Sequence, residues 1–503
     1  MRPSCQSDHW TLRESATMYI AVNRIRFERF QFAFLGIVFG ILLLSTFADG
    51  LRGNDNLIHE KNVADFQRDL LTEYIRDKRR ARVELALNDL PNFRREVGSC
   101  SRFTSEKFWN ESKSRYDGAR NWEFDDESFI ERQVGKERRC SSIIEKFAFL
   151  EEPLSAEEAA YPLAYGMIVY KNPAQVYYSL SAIYQPQNAY CIAVDGKSTP
   201  EFKQRMRDLA ECLPHITVIE MEELRWCTRG VLKAQFECFK NLTLSSHSWN
   251  YYQYYTGFDV PLKTNLEMVR IFKQLNGTAV TEVCTVPPPK PQTTEKILPL
   301  YKAGMSALIP RESARYVLKN SLVNVTVNHL IETSYDICAD ELLWATIFGN
   351  KKLVPAPGSF EAADLYKKMT FEKWERDHKL KKHPDFNFTS TLAEPFRPER
   401  YLIGRFQIWW TSLEKCHGQM THSSCAFGLA DIPTLIQRSE LVAHKFHLEV
   451  EPAAYFCMWK FIRERALDPK QNEFQGRNYR RITQVRLNSG ESIDNLAAYY
   501  TEY

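Results

Sequence analysis

An uncharged apolar run, FQFAFLGIVFGILLLSTF at Phe30–Phe47, follows a cluster of Arg24, Arg26 and Arg29 and constrains everything downstream of it. At the helical rise of ~1.5 Å per residue the run spans roughly 27 Å, slightly less than a ~30 Å hydrocarbon core and suited to a thin bilayer. Basic residues before the run and Asp49 and Asp55 after it predict a cytosolic N-terminus and a lumenal remainder. We therefore expect a cytosolic tail over 1–29, a transmembrane signal-anchor over 30–48 and type II topology. A cleaved signal peptide is the competing reading, but the apolar part is long for an h-region and starts well into the chain.

The chain has 503 residues, and its 44% apolar and 26% charged content is that of a folded globular protein. Its 66 basic and 63 acidic side chains leave a net charge of +3, which excludes nucleic-acid binding through a bulk basic field. Of the 12 cysteines only Cys5 precedes the apolar run, so the others would face an oxidising lumen that favours disulfides. They are scattered singly with no Cys-x-x-Cys, which argues against a structural zinc module. Glycosylation sequons at Asn110, Asn241, Asn276, Asn324 and Asn387 all lie on the same expected lumenal side.

From Asp49 to about Lys136 the sequence is rich in charge, with a polar helix expected over Asn62–Leu87, and we read 49–136 as a lumenal stem. The pattern changes at Tyr161. YPLAYGMIVY reads as a buried strand, Pro173–Ile183 as a helix, AYCIAVD as a second strand ending in Asp195, Thr199–Cys212 as a helix and HITVIEM as a third strand. This alternation predicts an α/β fold with a parallel sheet whose ligands gather beyond the strand C-termini. Lys233–Leu242 reads as a helix, YYQYYTGFDVPLK as a strand entering a turn, Val286–Gln292 as a proline-rich loop and Asp340–Phe348 as a helix opened by acids. A domain over 137–465 and a polar C-terminal extension over 466–503 complete the expected organisation.

Four ordered blocks, EPLSAEEAAYPLAYGMIVY, SAIYQPQNAYCIAVDGKS, GFDVPLKTNLEMVRIFKQLNG and ADELLWATI, resemble the core-2/I-branching β-1,6-N-acetylglucosaminyltransferase family of Golgi enzymes. The resemblance runs from about Cys100 to Lys460. It implies a GT-A-like nucleotide-sugar-binding fold, a Golgi type II membrane enzyme, an inverting transfer from a UDP-sugar, and no divalent metal. The chain has no Asp-x-Asp triplet, so other cations would neutralise the departing diphosphate.

By the same resemblance, Glu341 matches the general base, and Lys445 matches a lysine at the diphosphate. His422 stands where the family has an arginine, a departure that bears on donor affinity and identity because imidazole is only partly charged near neutrality. Ile168, Tyr170, Asp195 and Trp226 match donor-contacting positions, although the family commonly has histidine at the place of Tyr170 and tyrosine at that of Trp226. Glu282, Lys290 and Trp409 match acceptor-binding residues, and Thr411 replaces an acceptor tyrosine. The family pattern further implies disulfides Cys100–Cys457, Cys140–Cys212, Cys191–Cys238 and Cys416–Cys425, leaving Cys227, Cys284 and Cys338 free or paired in a way particular to this chain.

The expected activity is thus transfer of a sugar, GlcNAc from UDP-GlcNAc in first place, in β-1,6 linkage to an O-glycan or glycoprotein acceptor. UDP-glucose or UDP-xylose are alternative donors, and a non-catalytic lectin-like membrane glycoprotein is the alternative of another class.

Overall fold

The computed structural model describes residues 55–105, 117–130, 135–287, 289–291, 293–333, 338–371, 403–410, 412, 414–468 and 476–496, with the side chains of 55–70 excepted. The expected tail and anchor, together with Asn110, Asn387 and Thr411, lie outside these residues. No helix among the described residues is long and apolar enough to cross a membrane.

Strands β1 (Leu163–Val169), β2 (Ala189–Val194), β3 (Ile216–Glu220) and β4 (Tyr251–Thr256) are followed by a short β5 (Val260–Pro261), β6 (Val280–Thr281), β7 (Ala307–Pro310), a hairpin of β8 (Gln419–Thr421) and β9 (Ser424–Ala426), and β10 (Val442–Ala443). The central sheet has the order β3-β2-β1-β4-β7-β6, while β10 pairs with β5. β1 through β4 pair in parallel, and only β7 runs against its neighbours. The result is a mixed α/β fold around a parallel-dominated sheet.

The apolar runs read as buried strands because both faces of the sheet are covered. Tyr165, Met167, Val169, Ile192, Val194 and Tyr255 point into one core, and Ala164, Cys191, Ala193, Tyr252 and Tyr254 into the other, as the two-residue period requires. The second face carries small side chains on β1 and β2 so that helix Arg229–Leu244 can lie close, pinned by Cys191–Cys238. A Cβ on Gly166 would come within 2.4 Å of the Tyr252 hydroxyl, so this position admits no side chain.

Helix Pro173–Ile183 has the expected bounds, and Thr199 caps a helix that begins at Pro200. The acids expected to open a helix at Asp340 lie instead on a 3-10 turn, Ala339–Leu342, ahead of the α-helix Leu343–Phe348.

Two expected boundaries differ from the packing. A helix runs Asp55–Asn88, and from Val83 onward the residues expected to form a stem enter the main core: Val83, Leu87, Leu90, Phe93, Val97 and Phe103 are all buried. From Val83 to Val97 their spacing is three or four, an apolar periodicity hidden among charges. Asp126, also in that segment, caps helix Pro173–Ile183 from a distance, accepting from Ala174 N at 3.0 Å and Gln175 N at 2.8 Å. Beyond residue 465, Tyr479, Ile482, Val485 and Leu496 are buried as well. The compact unit containing the sheet extends over Arg76–Tyr503.

Candidate active site

Because β1, β2, β3, β4 and β6 share one direction, the residues that follow them collect along one edge of the sheet, and the expected donor residues lie there. Ile168 and Tyr170 are half-buried and Asp195 is buried at 2% exposure. Asp195 is held by its own surroundings: Oδ1 accepts from Lys197 N at 3.1 Å and Leu224 N at 2.9 Å, and Oδ2 pairs with Lys197 Nζ at 3.0 Å. The Lys197 ammonium lies 4.8 Å from the Tyr170 ring centroid, which in turn meets Phe258 at 5.6 Å. Trp226 stands 76% exposed on the loop after β3 that Asp195 anchors through Leu224.

From Phe258 the contacts continue to the other expected donor group. Phe258 O accepts from Phe446 N at 2.9 Å, and its ring lies 4.7 Å from that of His447. Lys445, next in sequence to Phe446, is buried, and its Nζ donates to Thr421 O at 2.9 Å. Burial holds its ammonium below the usual lysine range. His422 follows Thr421 at the tip of the β8–β9 hairpin, exposed, with φ of 47° at His422 and 64° at Ser423. Positive φ at both central residues is what a two-residue hairpin turn demands. Trp409 bridges to Ser424 of the same hairpin, so Trp409, His422 and Lys445 belong to one small structural group.

The base candidate lies on the turn Ala339–Leu342. Glu341 is half-buried and its Oε2 pairs with Lys302 Nζ at 2.9 Å. Glu282, which follows β6, is 4% exposed and near enough for its charge to reinforce the Lys302 ammonium. Asp340 is buried, and burial first, then the charge of Glu341, push its carboxyl up to about 7. Lys290 stands exposed on the proline-rich loop, apart from this group.

Beside Lys445, His444 opens a buried polar chain that the sequence did not disclose. Asp259 is wholly buried, with Oδ2 3.0 Å from Arg405 and Oδ1 2.7 Å from His444 Nδ1. Burial opposes its ionisation, yet Arg405 and His444 together hold its carboxyl below the ordinary value. Burial and the Arg405 charge bring His444 down to about 4, so His444 is neutral near pH 7 and directs Nδ1–H to Asp259. Arg405 also lies 5.5 Å from the Tyr254 ring, and Tyr254 feels the charge of Asp340. Asp259 stands inside the GFDVPLK block, the one signal that pointed to it. Lys302 and Arg405 stand in unremarkable sequence.

All four disulfides implied by the family pattern are present, and Cys227 and Cys338 form a further one. That bond joins the residue after Trp226 to the turn that carries Glu341. Cys284 is buried and forms no disulfide among the described residues. The sequon asparagines Asn241, Asn276 and Asn324 are exposed.

Residues 163–394 match the family model of the core-2/I-branching enzyme. The chain is 29% identical to a human β-1,3-galactosyl-O-glycosyl-glycoprotein β-1,6-N-acetylglucosaminyltransferase, over 65% of this chain and 76% of that one. It is 26% identical to a mouse N-acetyllactosaminide β-1,6-N-acetylglucosaminyl-transferase, over 67% of this chain and 81% of that one. A third relative, from bovine herpesvirus 4, carries the same name as the human protein and is 26% identical over 66% of this chain and 74% of its own. The matched span takes in β1 through β7, the turn with Glu341 and every expected donor and acceptor residue except Trp409, His422 and Lys445, and over this span the chain is similar to the core-2/I-branching enzyme family.

Proposed function

We propose that this protein is an inverting glycosyltransferase that moves a sugar, GlcNAc from UDP-GlcNAc in first place, onto a 6-hydroxyl of an O-glycan or glycoprotein acceptor, within a GT-A-like fold held in the Golgi membrane by the run at 30–48. The observation that carries this reading is a half-buried carboxylate, Glu341, on the turn that the Cys227–Cys338 bond ties to the Trp226 loop, in a chain whose relatives are named for β-1,6-GlcNAc transfer.

In this reading Glu341 takes the proton of the acceptor hydroxyl as its oxygen attacks the anomeric carbon. The bond from that carbon to the donor phosphate breaks, and UDP leaves with the electron pair on the opposite face. Lys445 stabilises the negative charge that develops on the diphosphate, and His422 at the adjacent hairpin tip adds charge when protonated. Tyr170 and Trp226 border the nucleotide. Asp195 orders the loop that carries Trp226, and Ile168 supports that edge from β1. Glu282 and Lys290 bond acceptor hydroxyls, and the Trp409 ring offers its apolar face to a pyranose. Glycans at the exposed Asn241, Asn276 and Asn324 would stand clear of the packed core.

The test is Glu341→Gln in a secreted lumenal fragment assayed with a UDP-sugar panel against O-glycan acceptors. The amide keeps the shape but cannot accept a proton, so turnover falls by about 10²–10⁴-fold while UDP affinity, measured by calorimetry, stays near that of the parent. Near-normal turnover in the variant excludes Glu341 as the base, and failure of the parent on every donor favours the lectin-like alternative.

A further inference from the structure

We infer that Lys302 is a positioning residue for the transfer step: it holds one oxygen of Glu341 and thereby turns the other toward the acceptor hydroxyl, linking the base to the acceptor carboxylate Glu282. This rests on the reading of Glu341 as the general base.

Two contacts converge on Lys302 and a third on its neighbour Ala303. Lys302 Nζ lies 2.9 Å from Glu341 Oε2, with the two side chains only 18% and 15% exposed, so the pair is sheltered from the screening that makes surface ion pairs weak. Its carbonyl accepts from Cys284 N at 2.9 Å, two residues beyond Glu282, and the next residue, Ala303, donates its N–H to Glu341 O at 2.7 Å. The segment therefore joins the acceptor strand end to the base turn through backbone and side chain alike. Glu282 and Glu341 both favour the charged ammonium, while burial opposes it. With Oε2 occupied, Oε1 is the oxygen left to receive the acceptor proton. When Glu341 becomes neutral in the transfer, the nearby charge of Glu282 still favours the ammonium. A general base acts only from within hydrogen-bond reach and in the right orientation, and a side chain that fixes both affects turnover without touching the reacting atoms.

The experiment compares the parent with Lys302→Met, Lys302→Arg and Glu341→Gln, each checked for a parent-like melting midpoint. Methionine keeps the apolar stem and removes the charge. We expect Lys302→Met to lose about 10- to 100-fold in kcat, with a raised KM for the acceptor and an unchanged affinity for UDP, as the loss of one charged hydrogen bond implies. Lys302→Arg should recover most of the rate, since a guanidinium can hold the same carboxylate oxygen. If Glu341→Gln is inactive but Lys302→Met turns over within about twofold of the parent, the inference fails and the base assignment stands. If Lys302→Met loses UDP affinity in step with kcat, or if arginine restores nothing, the residue is merely structural and the inference fails. Active Glu341→Gln removes the base reading and the inference with it.

Discussion

Asp340 occupies the least comfortable position in the site: it is 4% exposed, lies next in sequence to the base candidate, and one of its carboxylate oxygens, Oδ1, has no hydrogen-bond partner among the described residues. Burial, and then the neighbouring charge of Glu341, raise its carboxyl to about 7, against an ordinary value of 3.8. The folded chain therefore holds a proton that the unfolded chain has already released above about pH 4. The stabilisation linked to Asp340 is fully present below about pH 4 and is lost as pH rises through about 7, by an amount of the order of 4 kcal/mol. Asp340→Asn removes this dependence. Urea unfolding at several pH values between about 4.5 and 8 should show parent and variant nearly alike at the acid end and the variant more stable at the alkaline end. Parallel pH curves would show that Asp340 ionises freely in the folded chain. The sequence exposed this acid as part of ADELLWATI, but its burial and the missing partner are properties of the packing around Tyr254 and Glu341, which no local pattern encodes.

Helix Pro173–Ile183 shows how an element can be legible while its support is not. Pro173 at the first position and a helical pattern over Pro173–Ile183 marked the helix and both its ends. Its N-cap residue, Asn172, makes no side-chain cap, and Asp126, 48 residues before Ala174, supplies both acceptors instead. Asp126→Ala leaves two buried donors without partners, and we expect a loss of about 1–3 kcal/mol in unfolding free energy. Asp126→Asn, which keeps one acceptor, should lose less. Denaturant midpoints for the two variants that match the parent would refute the cap. The parallel strands were readable for the opposite reason: burial on both faces forces continuous apolar runs, and the order of such runs and helices already implies a parallel sheet. The early segment was misread because charged residues such as Arg79, Arg80 and Arg82 surround the stripe from Val83 to Val97, and composition there outweighs periodicity.

Over the whole molecule, the last described residues brace the end of β6 that leads into Glu282. Gln484 Nε2 donates to Thr281 O at 2.8 Å, immediately before Glu282, Asn488 Nδ2 donates to Thr278 Oγ1 at 3.1 Å, and the Tyr479 hydroxyl donates to Ser439 O at 2.6 Å. Ending the chain after Leu467 exposes the surfaces under Tyr479, Ile482, Val485 and Leu496, at roughly 1.5–3 kcal/mol for each large side chain. The shortened protein should melt well below the parent and show a higher KM for the acceptor; calorimetry and initial rates that match the full chain would make the tail dispensable. Sequence alone passed over this segment because its apolar residues are few, and their value lies in a distant strand end. The Cys227–Cys338 bond, across 111 positions, was equally hidden, since two single cysteines carry no mark of each other. Its consequence is topological. The chain from the Trp226 loop to the Glu341 turn is a closed covalent ring, and β4 to β7, Glu282, Lys290 and Lys302 are all threaded on it. An insertion in the loop around Lys290, or a cut there, changes the slack within that ring while its two ends stay joined between the Trp226 loop and the Glu341 turn.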